Sequence, residues 1–395
     1  MNKSASSGNV CRGLDVFSGA SLEVSFDRAI SIVDHLIRPL EEAPYVAPGW
    51  VDLQVNGFAG VDYNSPASTH EDIAASIRAQ FACGVTRFFP TIITGSPENM
   101  AAALSNLAAA KESIPHGAAP MGQAMEAFHI EGPYISPHDG PRGAHPARWV
   151  RPPDLDEFRR FQDAARGHIR LVTLSPEWPQ APAFIGKIVE QGVVASIGHT
   201  RASSAQIADA VAAGATLSTH LGNGTDALLP KTSSYIWDQL AEDRLAASFI
   251  VDGFHLPEPF LKAALRAKGL ERSILVTDAV APAGCSPGAY RLGEVDVELH
   301  PDGSVRLAGG TRLAGSALMM DRAIANVMIT TGITLRDAIT LATRNPARIG
   351  RIPYRQRGLT PGDRADLVLF RHDEATNQIT ILETWLSGQK VFSAS

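Results

Sequence analysis

The chain has little that would suit a secreted, membrane or nucleic-acid-binding protein. Only three of its 395 residues are cysteine (Cys11, Cys83 and Cys285), far apart and without paired spacing. That argues against a disulfide framework and suits a reducing compartment. No window approaches the roughly 18 apolar residues of a membrane helix. The first thirteen residues are small and polar, without the apolar centre of a signal peptide. There is no basic stripe, and a net charge of −6 with a pI near 6.1 makes nucleic acid an unfavourable partner. Internal repeats and low-complexity segments are also missing. The expectations are a cytoplasmic protein, with no membrane and no nucleic-acid partner.

With 45% hydrophobic and 19% charged residues, the chain is long enough for one large domain and a small one. Residues 1 to about 13 read as a frayed tail. The region from Leu14 to about Pro48 leans towards β-structure, with alternation in Ser21-Leu22-Glu23-Val24-Ser25-Phe26. The far end is similar, with short strand-like runs at 365–370, 379–382 and 390–392. A small β-sandwich assembled from residues 1–48 and 351–395 is therefore expected.

Between them, residues 49–350 alternate. The apolar runs predict strands over 50–55, 86–93, 124–131, 169–174, 193–199, 215–220, 246–252 and 273–278. Amphipathic stretches predict helices over 71–82, 98–110, 156–165, 205–213 and 259–268. Eight apolar strands alternating with helices make the α/β pattern of a TIM-like (β/α)8 barrel. A doubly wound sheet would instead show a Gly-rich phosphate fingerprint after its first strand, and Gln54-Val55-Asn56-Gly57-Phe58 does not supply one.

In a barrel the chemistry sits at the C-terminal ends of the strands, and the polar residues fall there. One glutamate and two histidines, Glu131, His199 and His220, each end a different strand. Together they form a three-ligand metal site with a coordination position left open, the mark of a catalytic ion. Asp278 ends the eighth strand, placed to take a proton from water and return it to a leaving amine. His145 and His255 are candidates to hydrogen-bond the substrate. His129 alternates with Glu131 and is expected to orient it. His35, His70, His116, His138, His168, His300 and His372 read as surface or loop residues. Taken singly, each strand-end residue has a structural explanation, such as a helix cap or a satisfied histidine. Their recurrence at one level of several strands points to a shared site.

The segments PGWVDLQVNG, HIEGPYIS, GAH, SIGHT, STHLGNG, DGFH, LVTDA and LAGSALMM, in that order from about Pro48 to Asp366, resemble the N-acetylglucosamine-6-phosphate deacetylases of the amidohydrolase superfamily. The resemblance implies a metal-dependent hydrolase barrel with a small β-sandwich, and hydrolysis of N-acetylglucosamine-6-phosphate to glucosamine-6-phosphate and acetate. It implies one divalent ion, zinc or else iron, on Glu131, His199 and His220, with Asp278 as acid and base. It further implies His145, Asn223, Gly224 and His255 as substrate contacts, and a homodimer.

Three departures stand out. Gln54-x-Asn56 replaces the His-x-His that binds a second metal in many amidohydrolases, and amides are poor ligands for such cations, so a single metal is expected. The loop after His220 reads Leu-Gly-Asn-Gly-Thr-Asp, where the typical deacetylase has an aromatic and an Asn-Ala-Met run. Lys231 stands at the position of the family's phosphate-binding arginine. It could hold phosphate as a point charge without the arginine fork, or be a solvated loop charge. The alternatives are the same machinery acting on an unphosphorylated N-acetyl sugar or on another amide or cyclic amide, and an inactive scaffold. Cyclic-amide enzymes usually need a carboxylated lysine at a strand end, and none is there. An inactive scaffold would be expected to have lost Asp278 or a ligand.

Overall fold

Eight parallel strands run in sequence order around a nearly closed barrel, and their continuous apolar stretches follow from burial on both faces. They are β1 (Trp50–Val55), β2 (Val85–Ile93), β3 (Phe128–Glu131), β4 (Ile169–Leu174), β5 (Val194–Ile197), β6 (Leu217–Ser218), β7 (Ala246–Phe249) and β8 (Ser273–Leu275). The ring is joined where the end of β1 meets the residues just beyond β8. There the Asp278 amide donates to Gln54 O at 3.0 Å, and the Asn56 amide to Ala279 O at 2.7 Å. These contacts come from a computed structural model that describes residues 8–113, 121–231, 233–355 and 357–394. His116 and the first seven residues of the expected tail lie outside the described residues.

Several strands stop sooner than their apolar runs suggest, so His199, His220 and Asp278 stand two or three residues past the ends of β5, β6 and β8. The helices His70–Ala82, Pro97–Ser113, Leu155–Ala164, Ser204–Ala212 and Glu258–Lys268 each start one residue before the predicted position. Caps fix three of those starts. Thr69, Asp154 and Ser203 accept backbone N–H groups of the first turn, and Ser203 forms a capping box with Gln206. Among the described residues no helix is long and apolar enough to cross a membrane.

Both ends of the chain contribute to one seven-stranded sheet. Strands Asn9–Asp15, Ser21–Phe26, Ile30–His35 and Tyr45–Pro48 join Leu367–His372, Ile379–Leu386 and Gln389–Ser393. Asn9–Asp15 overlaps the expected tail, because its residues pair along Ser21–Phe26. The sheet curls over on itself. Phe26 and Trp385 lie on strands that are not neighbours in it, yet their rings meet at 5.2 Å in a core shared with Val24, Val46 and Leu367.

A buried ion cluster ties this sheet to the barrel. The Asp366 carboxylate takes Arg87 Nε of β2 at 2.7 Å, Arg364 Nε at 2.8 Å and Arg355 Nη2 at 3.1 Å, and the Ser387 amide donates to it at 2.8 Å.

One element lies outside the predicted pattern. Gly288–Leu292, Val295–Leu299 and Val305–Leu307 form a three-stranded antiparallel sheet between β8 and the last helices. Its signal was local: two alternating runs separated by Gly293-Glu294, a two-residue turn in which Gly293 takes φ 57°.

Candidate active site

Glu131 ends β3 and is 3% exposed, too buried to be tolerated without compensation. The compensation converges on one oxygen. Glu131 Oε1 lies 3.1 Å from His199 Nε2, 2.8 Å from His220 Nε2 and 3.1 Å from Gln54 Nε2. His199 and His220 reach it from left-handed turns, with φ of 49° and 30°. Such backbone is costly for non-glycine residues and tends to persist at functional sites.

The donor set asks for a cation. His199 Nδ1 lies 2.8 Å from the Pro141 carbonyl, an acceptor, so it must carry hydrogen. If Nε2 also donated to the carboxylate, the buried ring would be an imidazolium. A metal ion on Nε2 removes that demand and leaves Nδ1–H on Pro141, the usual way a ligating histidine is oriented. The ligand atoms of Glu131, His199 and His220 all lie within 4.8 Å of one another, so these residues fit a divalent ion. Burial alone would raise the Glu131 carboxyl, but the two histidines hold it well below the usual carboxylate range.

Gln54 and Asn56 hold carboxylates. Gln54 Nε2 bridges Glu131 to Asp278 Oδ1 at 3.0 Å, and Asn56 Nδ2 donates to the same Asp278 oxygen at 2.7 Å. A second ion where the amides stand would have to displace both bonds. Asp278 also sits in a left-handed turn, at φ 51°. Burial, and after it the charge of Glu131, push its carboxyl up to about 6. With Oδ1 tied by two amides, Oδ2 is the oxygen left for proton transfer.

The remaining candidates line a cavity of about 450 Å³ above these groups: His145, Asn223, Gly224 and His255. His145 Nδ1 is 2.9 Å from Thr94 Oγ1, and burial lowers its pKa to about 3, so the ring is neutral. Gly224 packs against the His199 ring so closely that a Cβ there would stand 2.6 Å from Nδ1. His255 Nδ1 is held at 2.7 Å by Asp252 Oδ2, and the other Asp252 oxygen accepts the amides of Phe254 and His255. Asp252 therefore positions His255, a role visible in sequence only as the short spacing Asp-Gly-Phe-His.

Two expectations change. His129 does not orient Glu131. Its ring nitrogens meet Thr91 Oγ1 at 3.2 Å and Thr173 Oγ1 at 2.7 Å, which makes it a satisfied interior residue of the barrel. Lys231 is exposed and is not among the residues that line the cavity. Arg312, which follows the three-stranded insert, does line it.

Comparison with known proteins places the chain in a family. The model of the Amidohydrolase family matches residues 45–391. An N-acetylglucosamine-6-phosphate deacetylase of Bacillus subtilis (strain 168) is 34% identical, over 82% of this chain and 80% of its own. An N-acetylgalactosamine-6-phosphate deacetylase of Escherichia coli O157:H7 is 31% identical, over 92% and 94%. The structure of a mutant N-acetyl-D-glucosamine-6-phosphate deacetylase from Mycobacterium smegmatis, in complex with N-acetyl-D-glucosamine-6-phosphate, superposes with a TM-score of 0.86 at 30% identity, covering 98% of this chain and 100% of that one. By sequence and by fold, the chain belongs to the amidohydrolase family, among its N-acetylglucosamine-6-phosphate deacetylases.

Proposed function

We propose that this protein hydrolyses the acetamide of N-acetylglucosamine-6-phosphate, releasing acetate and glucosamine-6-phosphate. The observation that carries the reading is the convergence of His199, His220 and Gln54 on one oxygen of Glu131, with Asp278 on the same glutamine. A divalent ion on Glu131, His199 and His220 would polarise the amide carbonyl and lower the pKa of a water. Asp278 Oδ2 takes the proton of the attacking water and passes it to the nitrogen as the C–N bond breaks. His145 and His255 hold the substrate from the cavity wall, with Asn223 and Gly224 beside them. Acetate release from N-acetylglucosamine-6-phosphate, its C4 epimer and unphosphorylated N-acetylglucosamine tests the reading directly. Turnover of the plain sugar alone would transfer the proposal to an unphosphorylated substrate.

Zinc suits a Glu-His-His donor set, with iron as the rival. Protein reconstituted with excess zinc should hold close to one equivalent by elemental analysis. Two equivalents would mean that Gln54 and Asn56 give up their carboxylate bonds to a second ion. The cytoplasm suits three free cysteines. A homodimer is supported by large apolar side chains exposed on the segments that follow β6 and β7: Leu228, Trp237 and Phe254.

The Asp252–His255 pair gives a further expected result. Asp252→Ala should lower kcat/KM about tenfold, since a hydrogen bond to a charged group is worth about 1.5–3 kcal/mol. If Asp252 acts through His255, the double variant Asp252→Ala/His255→Ala should lose little more than His255→Ala. Additive losses would assign the two residues separate roles.

A further inference from the structure

Among the described residues that line this cavity, a phosphorylated sugar meets four carboxylates, Glu131, Asp139, Asp226 and Asp278, against one side chain of fixed positive charge, Arg312. The carboxylates differ in what neutralises them. Glu131 faces the two metal-site histidines. Asp226 is matched by Arg201, whose Nε donates at 2.9 Å and whose Nη2 makes a second bond. Asp139 is shared by two arginines, Arg142 at 2.7 Å and Arg312 at 2.9 and 3.1 Å. One positive charge is therefore in excess on that side of the mouth. Arg142 does not line the cavity, and its other terminal nitrogen is tied to His145 O at 2.8 Å.

Arg312 has donors to spare. Nη1 and Nη2 grip the two oxygens of Asp139 end-on, and Nη1 also donates to Gly143 O at 3.0 Å. Of the five N–H groups of a guanidinium, three are then used. Nε–H and the second hydrogen of Nη2 have no acceptor among the described residues, and they lie side by side on one edge. A parallel pair of N–H groups is the fork that binds two oxygens of a phosphate. Asp139 fixes the plane of the guanidinium while leaving this edge free.

We propose that Arg312 reads the phosphate of the substrate, supplying within the same chain the fork that Lys231 lacks. The inference rests on the proposed deacetylation of a phosphorylated amino sugar. Phosphate is unchanged by the reaction, so its binding energy is common to ground and transition states and appears in KM.

Arg312→Ala should raise KM for N-acetylglucosamine-6-phosphate about tenfold or more while kcat stays within about twofold. Its constants for N-acetylglucosamine should match the parent. Asp139→Asn separates reading from propping. It weakens the strut but leaves the free edge, so KM should not rise with it. Unchanged KM in Arg312→Ala overturns the inference. So does an equal loss in Arg312→Ala and Asp139→Asn on both sugars, which would make the pair a rim strut. Inorganic phosphate gives an arm independent of turnover. It should raise the melting temperature of the zinc-loaded parent and fail to do so for Arg312→Ala. Equal stabilisation of both, or none of the parent, overturns the inference whether or not the sugar is deacetylated. A parent that binds phosphate through Arg312 yet releases no acetate would overturn the proposed reaction alone.

Discussion

Asp278→Asn is expected to fold, to bind its metal and to turn over about 10²–10⁴-fold more slowly than the parent, the usual contribution of a general acid or base. The reason lies in how the two carboxylate oxygens are used. Oδ1 accepts the amides of Gln54 and Asn56 at 3.0 and 2.7 Å, and an asparagine oxygen can keep both bonds. The substitution therefore changes the other position alone, replacing an oxygen that can accept and return a proton with an amide nitrogen that cannot. In the proposed reaction the same group serves both the attack and the departure of the amine, so no second carboxylate takes over half of the task. Glu131, the neighbouring candidate, is engaged by both histidines. Measurements of kcat, zinc content and melting on one preparation decide the matter. Parent-like turnover in the zinc-loaded variant would remove Asp278 from the proton path.

The second large effect concerns stability. Asp366 is fully buried among Arg87, Arg355 and Arg364, of which Arg355 is fully buried and Arg87 nearly so. Asp366→Asn removes the carboxylate they share and leaves Arg87 with Glu126, at 3.4 Å. Breaking a buried pair from one side costs about 3–5 kcal/mol, and urea melts at neutral pH should show a loss of that order.

The pH dependence has a defined sign. Burial opposes the ionised Asp366, but the three arginines outweigh it and depress its carboxyl well below the usual range. A depressed carboxyl contributes stability that is complete above its unfolded pKa of about 3.9 and is lost as pH falls towards the folded value. The gap between parent and variant should therefore be full at pH 7 and narrow below about pH 4. A variant as stable as the parent at pH 7 would show that the arginines find other partners at no cost.

The cluster of Glu131, His199 and His220 with Asp278 beside it could be anticipated from sequence because its signal is local: a charged or imidazole side chain ending an apolar run needs a reason to be there. The barrel was legible for the same reason, since buried parallel strands are written as continuous apolar stretches. What escaped depends on distant partners. Nothing in the residues around Arg312 says that Asp139 will grip it, and nothing near Arg87 foretells Asp366. His129 shows the opposite failure. Its spacing from Glu131 was correct for a shared strand, yet threonines on β2 and β4 claimed its nitrogens. The strand ends were set too late because each run was carried through to the polar residue that ends it, whereas the strands stop at Ile197, Ser218 and Leu275, before the left-handed turns that carry His199, His220 and Asp278.

The ion cluster at Asp366 also sets a timetable for biosynthesis. Arg87 precedes its carboxylate by 279 residues, which at about 5–20 residues per second is on the order of tens of seconds of translation. Until then β2 carries a guanidinium destined for a dry interior with its main counter-charge still unmade. The strand Tyr45–Pro48 waits for its neighbour Leu367–His372 over the same interval. A nascent chain has all eight barrel strands and the residues that close the ring once Ala279 is made, well before it can seal the face where barrel and sheet meet. A chain stalled in that interval would leave that face, rather than the catalytic mouth, uncovered.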